Sequence, residues 1–166
     1  MNRLVVLLAQ GLGSGRLPKA PGTAGTLLGL PWFLLLLLPG NALVFALANL
    51  AALAAAVWLC GRAEQILGEH DPGSIVLDEI VALPLCFIAL LVSLTQQLGH
   101  FPNATEFLRL TPGWTLPAGF ALFRLFDIWK PWPVRQAQRF PGGWGVVADD
   151  LLAALWVAVV SLVAVG

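Results

Sequence analysis

Long apolar runs, broken by glycine and proline, dominate this chain. Their lengths predict membrane-spanning helices rather than the alternating segments of a half-buried sheet. Five runs stand out: 23–38, which carries Pro31; 41–60; about 78–98; 112–126, which is short and carries Pro117; and 144–165. A crossing needs about 20 apolar residues, or around 17 at the short end, so the first and fourth runs lie at the limit. Prolines inside such helices are tolerated where neighbours satisfy the freed carbonyls. The dipeptide Pro-Gly occurs at 21–22, 39–40, 72–73, 112–113 and 141–142, each time shortly before a predicted helix. Thr23, Asn41 and Ser74 directly follow three of these pairs and are expected to act as N-caps. The expected fold is an all-α integral membrane protein of about five short transmembrane helices. An interfacial or re-entrant N-terminal segment precedes them, and the whole chain, 1–166, forms one domain.

Composition sharpens this picture. Apolar residues make up 58% and charged residues 11% of the 166 residues, whereas a soluble domain carries about 25% charged residues. A soluble all-helical protein is therefore disfavoured. The formal net charge is zero, which gives no electrostatic footprint for nucleic acid. Cys60 and Cys86 sit inside apolar runs with no metal-ligand or disulfide spacing and read as small lipid-buried side chains. The apolar stretch 4–9 after Arg3 is shorter than the ~7–15 residues of a signal peptide and lacks a cleavage site, so it is read as part of the mature protein.

Positive charge sets the orientation. With five crossings, eight of the nine basic residues fall on one side and only Arg109 on the other, which makes the richer side cytoplasmic. Trp58, Trp129, Trp132 and Trp144 fall near predicted helix ends on that side, as an interfacial belt requires. The carboxylates gather there too. Asp78 and Glu79 open the third span, Asp149 and Asp150 lie a turn inside the fifth, and Arg124 and Asp127 end the fourth. Ionisable groups within a membrane segment are expensive, about 2.5–3.5 kcal/mol each on insertion scales, so such a concentration points to use.

Paired carboxylates at helix ends suit a hard cation with oxygen ligands, and Mg²⁺ typically combines one or two of them with substrate phosphate oxygens. Arg and Lys nearby would hold the rest of a phosphate. Arg124, Asp127 and Lys130 share one helical arc, which fits either phosphate binding or an interfacial ion-pair ladder. The stretch Gly11 to Gly15 and then Pro21 to Thr26 is rich in glycine and hydroxyls, including Ser14 and Thr23. It can cradle phosphate before a helix N-terminus, or simply allow close helix packing. His70 beside Asp71 reads as an acid–base group or as a solvated loop histidine; His100 lies on the outer side. No Ser, Cys or His stands in a nucleophile arrangement, so metal-activated water is the more economical nucleophile, with an aspartyl-phosphate left open.

Ordered blocks along the chain resemble the signatures of the phosphatidylglycerophosphatase A family. They are Gly13-Ser14-Gly15, Ala20 to Thr26, the run from His70-Asp71-Pro72-Gly73 to Asp78-Glu79, Phe123-Arg124 to Lys130-Pro131-Trp132-Pro133, and Gly142-Gly143-Trp144 to Asp149-Asp150. The likeness covers nearly everything except about 95–111, and the Arg-x-x-Asp-x-x-Lys-Pro-Trp-Pro block is its most specific part.

The resemblance implies a Mg²⁺-dependent enzyme of the bacterial inner membrane with its site facing the cytoplasm. It would hydrolyse the terminal phosphate monoester of phosphatidylglycerophosphate, an anionic lipid, to phosphatidylglycerol and phosphate. It assigns Asp78, Glu79, Asp127, Asp149 and Asp150 to catalysis. Asp78, Glu79, Asp149 and Asp150 are its expected metal ligands. Arg124, Lys130, Ser14, Thr23 and Asp71 are expected to bind substrate. Asp127 would orient water or hold Arg124, and Asp71 is also a candidate ligand. Two departures stand out: a segment around 95–111 that is longer than expected and lies on the outer side, and Val147-Ala148 where the family usually has Met before the final Asp pair. A small transporter or channel is the alternative from another class, but its site would lie near the bilayer midplane between two repeats. An alcohol phosphotransferase or a histidine-based lipid phosphatase lacks its motif here. Oligomeric state and selectivity among phosphomonoester lipids are not specified.

Overall fold

The computed structural model describes residues 2–165, the side chains of 164 and 165 excepted; Met1 and Gly166 lie outside it. Among these residues every regular element is helical: α1 (Asn2–Ala9), α2 (Pro21–Leu37), α3 (Ala42–Leu67), α4 (Leu77–Ala82), α5 (Ile88–Leu98), α6 (Ala104–Leu110), α7 (Thr115–Trp129), α8 (Val134–Ala137) and α9 (Gly143–Val165). Three stretches are long and apolar enough to cross a membrane: Ala42–Leu67, Leu77–Leu98 and Gly143–Val163. The 17-residue α2 and 15-residue α7 are shorter, about 25 and 22 Å at 1.5 Å per residue. The chain is an all-α membrane protein in which long and short apolar helices pack together.

Several boundaries differ from the sequence reading. The third helix runs on past Cys60 to Leu67, so Arg62 and Glu64 are helical and Trp58 stands nine residues before its end. Of the three expected caps only Asn41 serves as one, its Oδ1 accepting from the Val44 amide at 3.0 Å. At α2, Pro21 itself takes the first helical position, where its missing N–H is no loss, and Thr23 lies two residues further in. Ser74 precedes α4 by three residues and accepts from Gln10 Nε2 at 3.1 Å instead. The span 78–98 breaks at Leu83–Phe87 into a 3₁₀ turn around Pro84, whose ring and missing donor interrupt an α ladder. Pro117 falls in the first turn of α7, where it is harmless, and that helix continues to Trp129, so Arg124 and Asp127 stand inside it.

The segment near 95–111 is no plain loop. It folds α6 behind a capping box: Asn103 Oδ1 accepts from the Glu106 amide at 3.0 Å, and Glu106 Oε2 accepts from the Asn103 amide at 2.9 Å. These bonds satisfy orphan donors at the helix start. The box sets Phe107, fully buried, into an aromatic core with Phe33 and Phe87. Phe33 stacks on Phe87 at 4.5 Å and meets Phe107 edge-on at 5.0 Å. A Cβ on Gly119 would stand 2.5 Å from the Phe87 ring, so that glycine lets α7 close over the core. His100 pairs with Glu106 at 3.1 Å in the same segment.

Candidate active site

A cavity of about 290 Å³ collects the N-terminal ends of α2, α4 and α9, the C-terminal end of α7 and the loop after α3. Six carboxylates line it, from Asp71, Asp78, Glu79, Asp127, Asp149 and Asp150, with two cations, Arg124 and Lys130. A larger groove of about 540 Å³ between α3 and α5 has no charged lining residue, so of these two cavities only the smaller carries ionisable groups.

Arg124 organises one half. Its Nη1 donates to Glu79 Oε1 at 3.0 Å and to Asp127 Oδ2 at 2.5 Å, with Thr26 Oγ1 at 3.5 Å. The i, i+3 spacing on α7 puts Asp127 beneath the guanidinium. Glu79 reaches it across α2 because two glycines leave room. A Cβ on Gly25 would stand 2.5 Å from Glu79 Oε2, and one on Gly22 would collide with Glu79 Oε1. The glycines after Pro21 therefore admit a carboxylate to the face of α2. Thr26, fully buried, is the hydroxyl that reaches the site; it also donates to the Gly22 carbonyl at 2.9 Å. Thr23 is exposed and absent from the cavity lining, and Ser14 turns back to its own loop, donating to the Gly11 carbonyl at 3.0 Å. The structure thus keeps these two expected substrate contacts apart from the other eight site residues.

Lys130 organises the other half. It caps α7 with a left-handed backbone (φ +48°) and donates from Nζ to Asp149 Oδ2 at 2.6 Å. Partial burial by itself lowers the lysine pKa, but the bonded Asp149 together with nearby Asp127 and Asp150 more than offsets that and raises it above its ordinary value. The ammonium is therefore charged throughout the neutral range.

Carboxylate oxygens of Asp127, Asp149 and Asp150 all lie within 4.8 Å of one another. Asp149 Oδ1 and Glu79 Oε2 are buried with no hydrogen-bond partner. Orphaned carboxylate oxygens in so acidic a pocket are costly, and an all-oxygen donor set fits a hard divalent cation. The grouping differs from the expected ligand set. Asp127 joins Asp149 and Asp150, while Glu79 is engaged by Arg124 and Asp78 Oδ1 accepts the Glu79 amide at 3.1 Å. His70 does not line the cavity; its ring is largely exposed and pairs with Glu64 at 2.9 Å. Sequence alone assigns no specific role to Thr26, at the end of the hydroxyl-rich stretch, or to Glu64, since neither stands out from ordinary helix residues without its distant partner.

The whole chain also has recognisable relatives. The family model described as phosphatidylglycerophosphatase A matches residues 7–165. A phosphatidylglycerophosphatase A of Escherichia coli is 36% identical over 149 residues, covering 89% of this chain and 75% of that protein. One from Haemophilus influenzae is 36% identical over 155 residues, covering 93% and 84%. A Bacteroides thetaiotaomicron protein named as a putative phosphatidylinositol-3-phosphatase is 39% identical over 165 residues, covering 97% and 93%. No solved structure matches the chain significantly. With nearly every residue matched and the signature acids and bases gathered in one cavity, the chain belongs to the phosphatidylglycerophosphatase A family.

Proposed function

We propose that this protein is a Mg²⁺-dependent phosphatase of the bacterial inner membrane that converts phosphatidylglycerophosphate to phosphatidylglycerol and phosphate at the cytoplasmic face. The observation that carries the reading is the charge of the cavity: six acids against two bases, at one end of an apolar bundle. A phosphate monoester would be repelled by such a pocket unless a divalent cation neutralised it. Asp127, Asp149 and Asp150 would hold that cation. When bound, it supplies positive charge against the charge developing on the phosphoryl oxygens. Arg124 and Lys130 donate to the remaining phosphoryl oxygens as the bond to the lipid alkoxide breaks. Glu79 and Asp127 fix the plane of the Arg124 fork. Asp71 and Asp78 line the pocket as acceptors for the attacking water, whose proton ends on the departing glycerol oxygen. The acyl chains remain among the apolar helices.

The name of the Bacteroides relative points to a second lipid headgroup, a phosphoinositide, with the same phosphomonoester chemistry. Phosphate release in detergent from phosphatidylglycerophosphate, phosphatidylinositol 3-phosphate and phosphatidic acid separates these readings. Phosphatidylglycerophosphate is expected to turn over fastest. EDTA should reduce release to background, and Mg²⁺ should restore it. Full turnover in EDTA would rule out the metal, and no release from any of the three lipids would rule out the phosphatase.

Arg124→Lys is expected to lower kcat about 10²-fold in a protein that still folds but melts somewhat lower. One lysine ammonium cannot bridge Glu79 and Asp127 and still present a planar fork to phosphate. Wild-type kcat in this variant would remove Arg124 from the chemistry.

A further inference from the structure

We propose that Glu64 is the positioning residue for Asp71, an inference that rests on the phosphatase reading above. Glu64 lies on the last turn of α3, where Gly68 (φ +67°) closes the helix by donating its amide to the Glu64 carbonyl at 2.9 Å. The chain then reverses towards α4, and at Asp71 the backbone is left-handed (φ +48°). Aspartate adopts such a conformation more readily than most residues, yet still at a cost that a fixed partner offsets. The side chain of Glu64 is the partner that holds it here. Oε1 accepts from the Asp71 amide at 2.8 Å and lies 2.9 Å from His70 Nδ1.

Glu64 does not line the cavity, and its side chain is only 10% exposed. A buried carboxylate is thus committed to two groups of one loop, and that loop delivers Asp71 to the site. Gln138 Nε2, just after α8, takes the other end of the residue, donating to Asp71 Oδ2 at 3.4 Å. Glu64 fixes the backbone of Asp71 while Gln138 fixes its carboxylate. The geometry asks only for an acceptor oxygen at Oε1, which glutamine also supplies.

Phosphate release from phosphatidylglycerophosphate, measured as kcat and KM in Mg²⁺, tests this. Glu64→Ala is expected to lower kcat about tenfold with little change in KM, and Glu64→Gln to restore it. In an Asp71→Ala background, Glu64→Ala should add no further loss. Independent, multiplying losses would overturn the proposal, and so would a glutamine variant as impaired as the alanine one. Should Glu64→Ala not fold, Glu64→Asp replaces it: one methylene short of the Asp71 amide, it is expected to lose kcat where Glu64→Gln does not. Equal activity of those two would sink the idea. If Asp71→Ala keeps full turnover, this assignment falls while the phosphatase stands; if the wild-type protein releases no phosphate, the broader reading fails first.

Discussion

Asp149→Asn is expected to cut Mg²⁺-dependent turnover by about 10²–10³-fold and to raise the Mg²⁺ concentration needed for half-maximal rate. Asp149 uses Oδ2 to hold Lys130 at 2.6 Å and leaves Oδ1 buried without a partner, within the oxygen cluster shared with Asp127 and Asp150. The amide is nearly the same shape, but one of its two ends must present N–H. Turned towards Lys130, it sets donor against ammonium; turned towards the cluster, it sets donor against the cation. Either orientation removes one of the two functions that the carboxylate combines. The loss should not be one of folding. Replacing one of six crowded acids by a neutral group relieves like-charge repulsion, so Tm is expected to stay the same or rise. Asp150→Asn, buried in the same cluster, should behave alike. Purified variants assayed across a Mg²⁺ titration, with Tm measured alongside, give the answer. Wild-type turnover with an unchanged Mg²⁺ profile in both variants would remove this cluster from the reaction.

The acids and bases of the site were legible because charge is conspicuous in an apolar chain. Asp78, Glu79, Arg124, Asp127, Lys130, Asp149 and Asp150 had to be used or paired, and the structure brings all seven into one cavity with Asp71. Helix existence was legible from run length for the same reason. Contacts that depend on partners remote in sequence were not. Thr23 and Ser14 looked as suitable for phosphate as Thr26. Only the approach of Glu79 and Arg124 across α2, through the space left by Gly22 and Gly25, distinguishes Thr26. The apolar run ends at Cys60, and nothing local to Arg62 and Glu64 extends a helix through them. Their helix is maintained instead by Gly68 at its terminus and by the loop that Glu64 binds. The capping box Asn103-x-x-Glu106 is a local signal and could have been read; the burial of Phe107 behind it could not.

Gly143→Ala is expected to destabilise the fold by about 3 kcal/mol, a large share of the roughly 5–15 kcal/mol that a domain has in reserve. Small residues let helices in a membrane approach backbone to backbone, and here α9 starts directly against α3. A Cβ on Gly143 would collide with the Val57 carbonyl, and one on Gly61 would stand 2.7 Å from the Gly143 amide nitrogen. Neither obstacle is the mobile end of a side chain, so no rotamer change relieves the clash and α9 as a whole must move. Asp149 and Asp150 sit two turns along that helix, and a shift there of about 1 Å is enough to degrade a positioned site. Lower Tm in detergent and lower turnover should therefore appear together. Gly113→Ala is the control: nothing lies within 4 Å of its added methyl, and its backbone is not in the left-handed region. If the two alanine variants melt at the same temperature, the α3–α9 crossing is looser than its glycines indicate, and the placement of the aspartate pair must have another cause.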